Sequence, residues 1–155
     1  MYANMNFSNF ITSTGKRINR DHFIHLVQVA KLDGKISETE MEILHKEGRK
    51  FGLTDPEIDD IINNEHPLNY HPPYSLEDKF FELYNITELI LSDNVITEAE
   101  KKMIRRYAIA AGFPDDVIEG LCKILIEGVK KGEEEEALLK EFRKKYISKY
   151  KQSRK

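Results

Sequence analysis

The sequence predicts an all-α protein: two similar three-helix units followed by a C-terminal helix. Three observations carry this prediction. Apolar residues recur at steps of three and four through almost every segment, capping signals mark the helix starts, and the chain superposes on itself at an offset of sixty residues.

A first helix is expected over residues 20–32, with Phe23, Leu26, Val27 and Ala30 on one stripe and Asp33-Gly34 as its stop. Ser37 and Glu40 then have the spacing of a capping box, in which hydroxyl and carboxylate each accept the other residue's backbone amide. Ile36 and Met41 flank them as a hydrophobic staple, and Gly52 ends that helix after Phe51. Thr54-Asp55-Pro56-Glu57 repeats the box with proline in the first turn, where its missing amide costs nothing, and this third helix fades near Asn63. Between 65 and 74 the prolines of His66-Pro67 and His71-Pro72-Pro73 exclude a helix, so this stretch is expected to be a linker.

Ser75 caps the next expected helix, which runs to about Ser92 with Phe80, Leu83, Tyr84, Thr87, Ile90 and Leu91 inward. Two more follow over 98–111 and 114–131, stopped by Gly112 and Gly132, the second burying Ile118, Leu121, Cys122, Leu125 and Val129. From Glu133 onward, Leu139, Phe142, Tyr146 and Tyr150 form the stripe of a closing amphipathic helix.

The sixty-residue offset sets Asp33 on Asp93, Gly34 on Asn94, Ile36 on Ile96, Ser37 on Thr97, Glu38 on Glu98 and Glu40 on Glu100. It continues without a gap through Leu44 on Ile104, Gly48 on Ala108, Gly52 on Gly112, Asp55 on Asp115 and Ile58 on Ile118. Caps, stops and stripes stay in phase together, which implies a duplicated unit over about 20–63 and 80–124. The expected organisation is therefore an N-terminal extension 1–19, a core domain 20–132, and a C-terminal amphipathic helix with a basic tail over 133–155. Small residues at Gly48 and Ala108, on the inward side of their helices, suggest close helix crossings.

A chain of 155 residues can bury a real core, and 40% apolar with 33% charged residues describes a soluble globular protein. One cysteine, Cys122, cannot form an intramolecular disulfide, and no Cys/His cluster has zinc spacing. No signal-peptide core and no apolar run of spanning length is found, so a cytoplasmic setting is expected. The net charge of −3 hides an asymmetry. Residues 140–155 hold eight bases against Glu141, a local +7, which leaves −10 on the remainder. An acidic body argues against general nucleic-acid affinity. The basic tail suits an anionic membrane surface or an acidic protein partner, or serves only as the base-rich end that a helix dipole favours.

Two acidic turns are the strongest candidates for chemistry. Each brings an aspartate, a hydroxyl and glutamates into one short loop, the hard oxygen set that calcium, magnesium or manganese prefers. A twelve-residue EF-hand loop from Asp33 would place Lys35 third and Leu44 twelfth, so that motif fails. The competing reading is that Ser37/Glu40 and Thr97/Glu100 do nothing but cap helices. His22 and His25 share a helix face without a third ligand at metal spacing, His66 and His71 lie in the linker, and His45 stands alone. Cys122 reads as core, and no nucleophile elbow, P-loop or dinucleotide fingerprint occurs, so an enzyme is not expected.

The run Ala30-Lys31-Leu32-Asp33-Gly34-Lys35-Ile36-Ser37-Glu38-Thr39-Glu40, followed by Phe51-Gly52-Leu53, resembles the signature turn of the TerB-like family. That family comprises the tellurite-resistance B proteins and the related N-terminal domain of a membrane-anchored J-domain co-chaperone. Leu91-Ser92-Asp93-Asn94-Val95-Ile96-Thr97-Glu98-Ala99-Glu100, with Ala111-Gly112-Phe113, is similar to the family's second half, and the likeness covers about residues 20 to 130. The resemblance implies a helical fold of two similar halves in a cytoplasmic bacterial protein with a role in tellurite or metal-ion stress. It also implies a divalent-cation site at Asp33, Glu40, Asp93 and Glu100.

Overall fold

A computed structural model describes residues 9–11, 17–32, 34–63, 70–93 and 95–153, with side chains from Asp21 to Lys151 among them. Asp33, Asn94, the linker residue His66 and the last two bases lie outside the described residues. The architecture is all-helical, as expected, with one small addition in the N-terminal extension. Strands β1 (Asn9–Ile11) and β2 (Arg17–Asn19) pair antiparallel, Phe10 opposite Ile18. Three residues per strand are too few to show an alternation in sequence.

The chain divides into two compact units, 1–70 and 71–155, which part within the expected linker. The first holds α1 (Arg20–Ala30), α2 (Glu38–Arg49) and α3 (Asp55–Asn63), each in contact with the other two. Phe23, Leu26 and Val27 of α1 are buried, as are Ile43 and Leu44 of α2 and Ile58 and Ile62 of α3. The three helices meet at Gly48. A Cβ there would lie 2.7 Å from Ile58 Cγ1 and 3.0 Å from Phe23 Cζ, so the expected close crossing is real and leaves no room for a methyl group. Phe23 and Phe51 complete this core with ring centroids 6.2 Å apart.

The second unit holds α4 (Leu76–Ile90), α5 (Glu98–Ala110), α6 (Asp115–Lys130) and α7 (Glu135–Ser153). Helix α4 touches the other three. Its buried run of Phe80, Leu83, Ile86, Leu89 and Ile90 is apolar over more than one face, which is why it takes the central place. It ends two residues earlier than its stripe predicts, passing into a 3-10 turn over Leu91–Asp93. There Ser92 Oγ donates to the Leu89 carbonyl (2.9 Å), an alternative to continuing the α-helix.

Helices α5 and α6 both stop in the same way. Phe113 N donates to Ala108 O (3.2 Å) and Gly112 N to Ile109 O (3.0 Å). Glu133 N donates to Gly128 O (2.9 Å) and Gly132 N to Val129 O (3.0 Å). These paired bonds require a left-handed residue at the turn, supplied by Gly112 at φ +97° and Gly132 at φ +76°.

Helix α7 packs on α6 and α4 through buried Leu138, Leu139, Phe142 and Tyr150. Phe142 lies 5.7 Å from Phe80 and 5.8 Å from Phe113 between ring centroids, and Tyr150 lies 5.6 Å from Phe113. The expected stripe is therefore core of the second unit, with Leu138 added and Tyr146 left half-buried.

Candidate functional site

Each acidic turn is built on a helix start whose cap formed as expected. Ser37, extended at φ −71° and ψ 164°, accepts the Glu40 amide at its Oγ (3.1 Å), while Glu40 Oε1 accepts the Ser37 amide (3.0 Å). Sixty residues on, Thr97 at φ −91° and ψ 165° accepts the Glu100 amide (3.1 Å), and Glu100 Oε1 accepts the Thr97 amide (2.9 Å). The two boxes differ in burial: Glu40 is half-buried, whereas Glu100 is almost fully enclosed.

Around them the arrangement is more open. Asp93 is exposed, with Oδ1 accepting the Val95 amide at 3.4 Å, and Glu98 pairs with Lys101 at 3.1 Å. Asp33 lies outside the described residues. Among those described, no three His, Cys, Asp or Glu side chains gather closely enough to hold a metal ion. Both candidate glutamates thus spend one carboxylate oxygen on a helix cap. A carboxylate has a second acceptor oxygen, so capping and cation ligation are chemically compatible at one residue.

A cluster that sequence reasoning missed lies at the far end of α2. His45, far from standing alone, has Nδ1 2.9 Å from Asp55 Oδ1 and Nε2 2.7 Å from Asp59 Oδ1. Its side chain is 14% exposed. Arg49 Nε donates to the same Asp55 oxygen at 3.0 Å. The hydrogen bond to Asp55, reinforced by Asp59, raises the His45 pKa above its ordinary value against the opposing effect of burial. The Arg49 guanidinium, with His45, holds the Asp55 carboxyl below the usual carboxylate range. The offset carried a signal here: positions 105 and 119, sixty beyond 45 and 59, hold Arg105 and Glu119, with Nη2 2.7 Å from Oε2.

Other candidates fall away. Burial pushes the Cys122 thiol up to about 11, so it is protonated at neutral pH. His25 lies edge-on to Tyr70, ring centroids 5.7 Å apart. A cavity of about 150 Å³ between α6 and α7 is lined by Lys123, Lys131 and Lys145 and by Glu127, Glu133 and Glu141, opposite charges that give no preference for an anion or a cation. On α7 the bases Lys140, Lys144, Lys149 and Lys151 are exposed, while Arg143 pairs with Glu77 and Lys145 with Glu141 (3.0 Å).

No protein-family model, curated protein or solved structure matches this chain. The likeness to the TerB-like family therefore rests on the residues of the two turns. No helix among the described residues is long and apolar enough to cross a membrane.

Proposed function

We propose that the chain is a TerB-like, non-enzymatic module of two similar helical halves. On this reading its acidic turns take up a divalent cation (calcium, magnesium or manganese) and present the loaded state to a protein partner in a tellurite or metal-stress response. One observation supports this most: the same reciprocal bonds hold Glu40 against Ser37 and Glu100 against Thr97. A hard carboxylate is thereby fixed at the same place in both turns, seven residues along the chain from an aspartate, Asp33 or Asp93. A cation bridging Asp93 and Glu100 would tie the end of α4 to the start of α5, so that loading stiffens the turn.

The test exploits the fact that glutamine also serves in a capping box. Glu40→Gln with Glu100→Gln keeps an oxygen for each cap and removes the charge. The pair should leave helical circular dichroism unchanged while calorimetric binding of manganese or calcium falls at least tenfold. Affinity equal to the unaltered chain would remove both glutamates from the site.

A second reading is a metal-free interaction scaffold that docks through its C-terminal helix and basic tail. The exposed bases Lys140, Lys144, Lys149 and Lys151 favour it. The burial of Leu138, Leu139, Phe142 and Tyr150 confines such docking to charge. Binding to an acidic partner or to anionic vesicles that weakens steeply with salt would support it.

A further inference from the structure

The two ring nitrogens of His45 each face a carboxylate oxygen, at 2.9 and 2.7 Å. Neutral imidazole carries one N–H, so in that state one nitrogen turns a lone pair toward an anionic oxygen and the contact becomes repulsive. Only the imidazolium donates to Asp55 and Asp59 together. Both aspartates belong to α3 and the histidine to α2, so the protonated ring spans the helix pair, and it is largely shielded from solvent.

Charged groups on the neighbouring turns include Lys46 and Glu47 of α2, the latter paired with Lys50 at 2.7 Å, and Asp60 of α3. On α2, Glu42 is exposed and Arg49 is engaged with Asp55; on α3, Glu57 accepts the Thr54 amide at 2.8 Å. Just past α1, Lys31 Nζ donates to the Ile62 carbonyl (2.6 Å); on α1 itself His25 faces Tyr70, and Asp21 and His22 stand in the first turn. At the positions sixty residues on, Arg105 of α5 meets Glu119 of α6 at 2.7 Å, and arginine stays charged at every physiological pH.

We propose that His45 is a proton-operated clamp. Its imidazolium closes α3 onto α2, its neutral form releases them, and the second unit has a permanently charged pair at the corresponding positions. The sign follows from linkage. Because the folded-state pKa of His45 is raised, the clamp's contribution is complete below the ordinary imidazole value of 6.5 and is lost as pH rises through the folded value. The first unit would then loosen on mild alkalinisation while the second does not.

The full chain in the absence of added metal tests this with two NMR readouts: titration of the His45 ring, and amide exchange corrected for its intrinsic pH dependence. His45 should titrate above 6.5. Protection in α2 and α3 should fall about two- to fivefold as it does so, the scale of an ion pair whose carboxylates are half exposed, while α5 and α6 hold. His45→Arg should flatten that dependence. His45→Gln should show the high-pH protection at every pH. Titration at or below 6.5, flat protection in α2 and α3, or an unchanged pH profile in His45→Arg would each overturn the clamp.

Discussion

Tyr146 lies directly over Gly120: a Cβ built on the glycine would collide with the phenol oxygen and ring. About two turns apart on α6, Gly120 and Gly128 serve as the floor on which Tyr146 and Leu138 of α7 rest. This close approach brings the Phe142 ring to Phe80 and Phe113.

Gly120→Ala and Gly128→Ala should therefore destabilise the second unit by up to about 2 kcal/mol each, an overpacking cost of about 1–3 kcal/mol less the roughly 1 kcal/mol that alanine gains in helix propensity. Denaturant unfolding checks the sign. A stabilised Gly128→Ala would mean that Leu138 swings away without loss.

Removing α7 by truncation after Gly132 should unfold the second unit. The helix buries Leu138, Leu139, Phe142 and Tyr150, worth roughly 6–12 kcal/mol at 1.5–3 kcal/mol each, which is comparable to the whole stability of a typical domain. Circular dichroism and amide dispersion of the truncated chain give the answer. A cooperative, well-dispersed remnant would make α7 an appendage.

Cys122 should resist alkylation. With burial holding the thiol near 11, the thiolate fraction at pH 8 is small and the sulfur is covered. Iodoacetamide should modify the folded chain far more slowly than the chain in denaturant, and equal rates would show an accessible sulfur.

What could be read from the sequence was what depends on neighbours along the chain. The caps at Ser37, Thr54, Ser75 and Thr97 formed because their partners are three residues away. The stops at Gly112 and Gly132 needed only a residue that tolerates positive φ. Periodicity also found the stripe of α7, but it ranked Tyr146 above Leu138, since the fit of Leu138 depends on Gly128 of another helix. The His45 cluster stayed hidden for the same reason: Asp55 and Asp59 arrive from beyond the Gly52 turn, and only the sixty-residue offset, which sets His45 and Asp59 on Arg105 and Glu119, links positions 45 and 59. The hairpin at Asn9–Ile11 and Arg17–Asn19 escaped because three residues carry no period.

The central claim is that the acidic turns are cation ligands as well as helix caps. An amide NMR titration of the full chain with calcium, magnesium and manganese tests it most directly. The account predicts saturable shifts with calcium or magnesium, and paramagnetic broadening with manganese, confined to the turns that lead into α2 and α5 and strongest at Glu40, Asp93 and Glu100. Spectra unchanged at millimolar cation, or broadening spread over the acidic surface without saturation, would contradict it and leave Glu40 and Glu100 as caps alone.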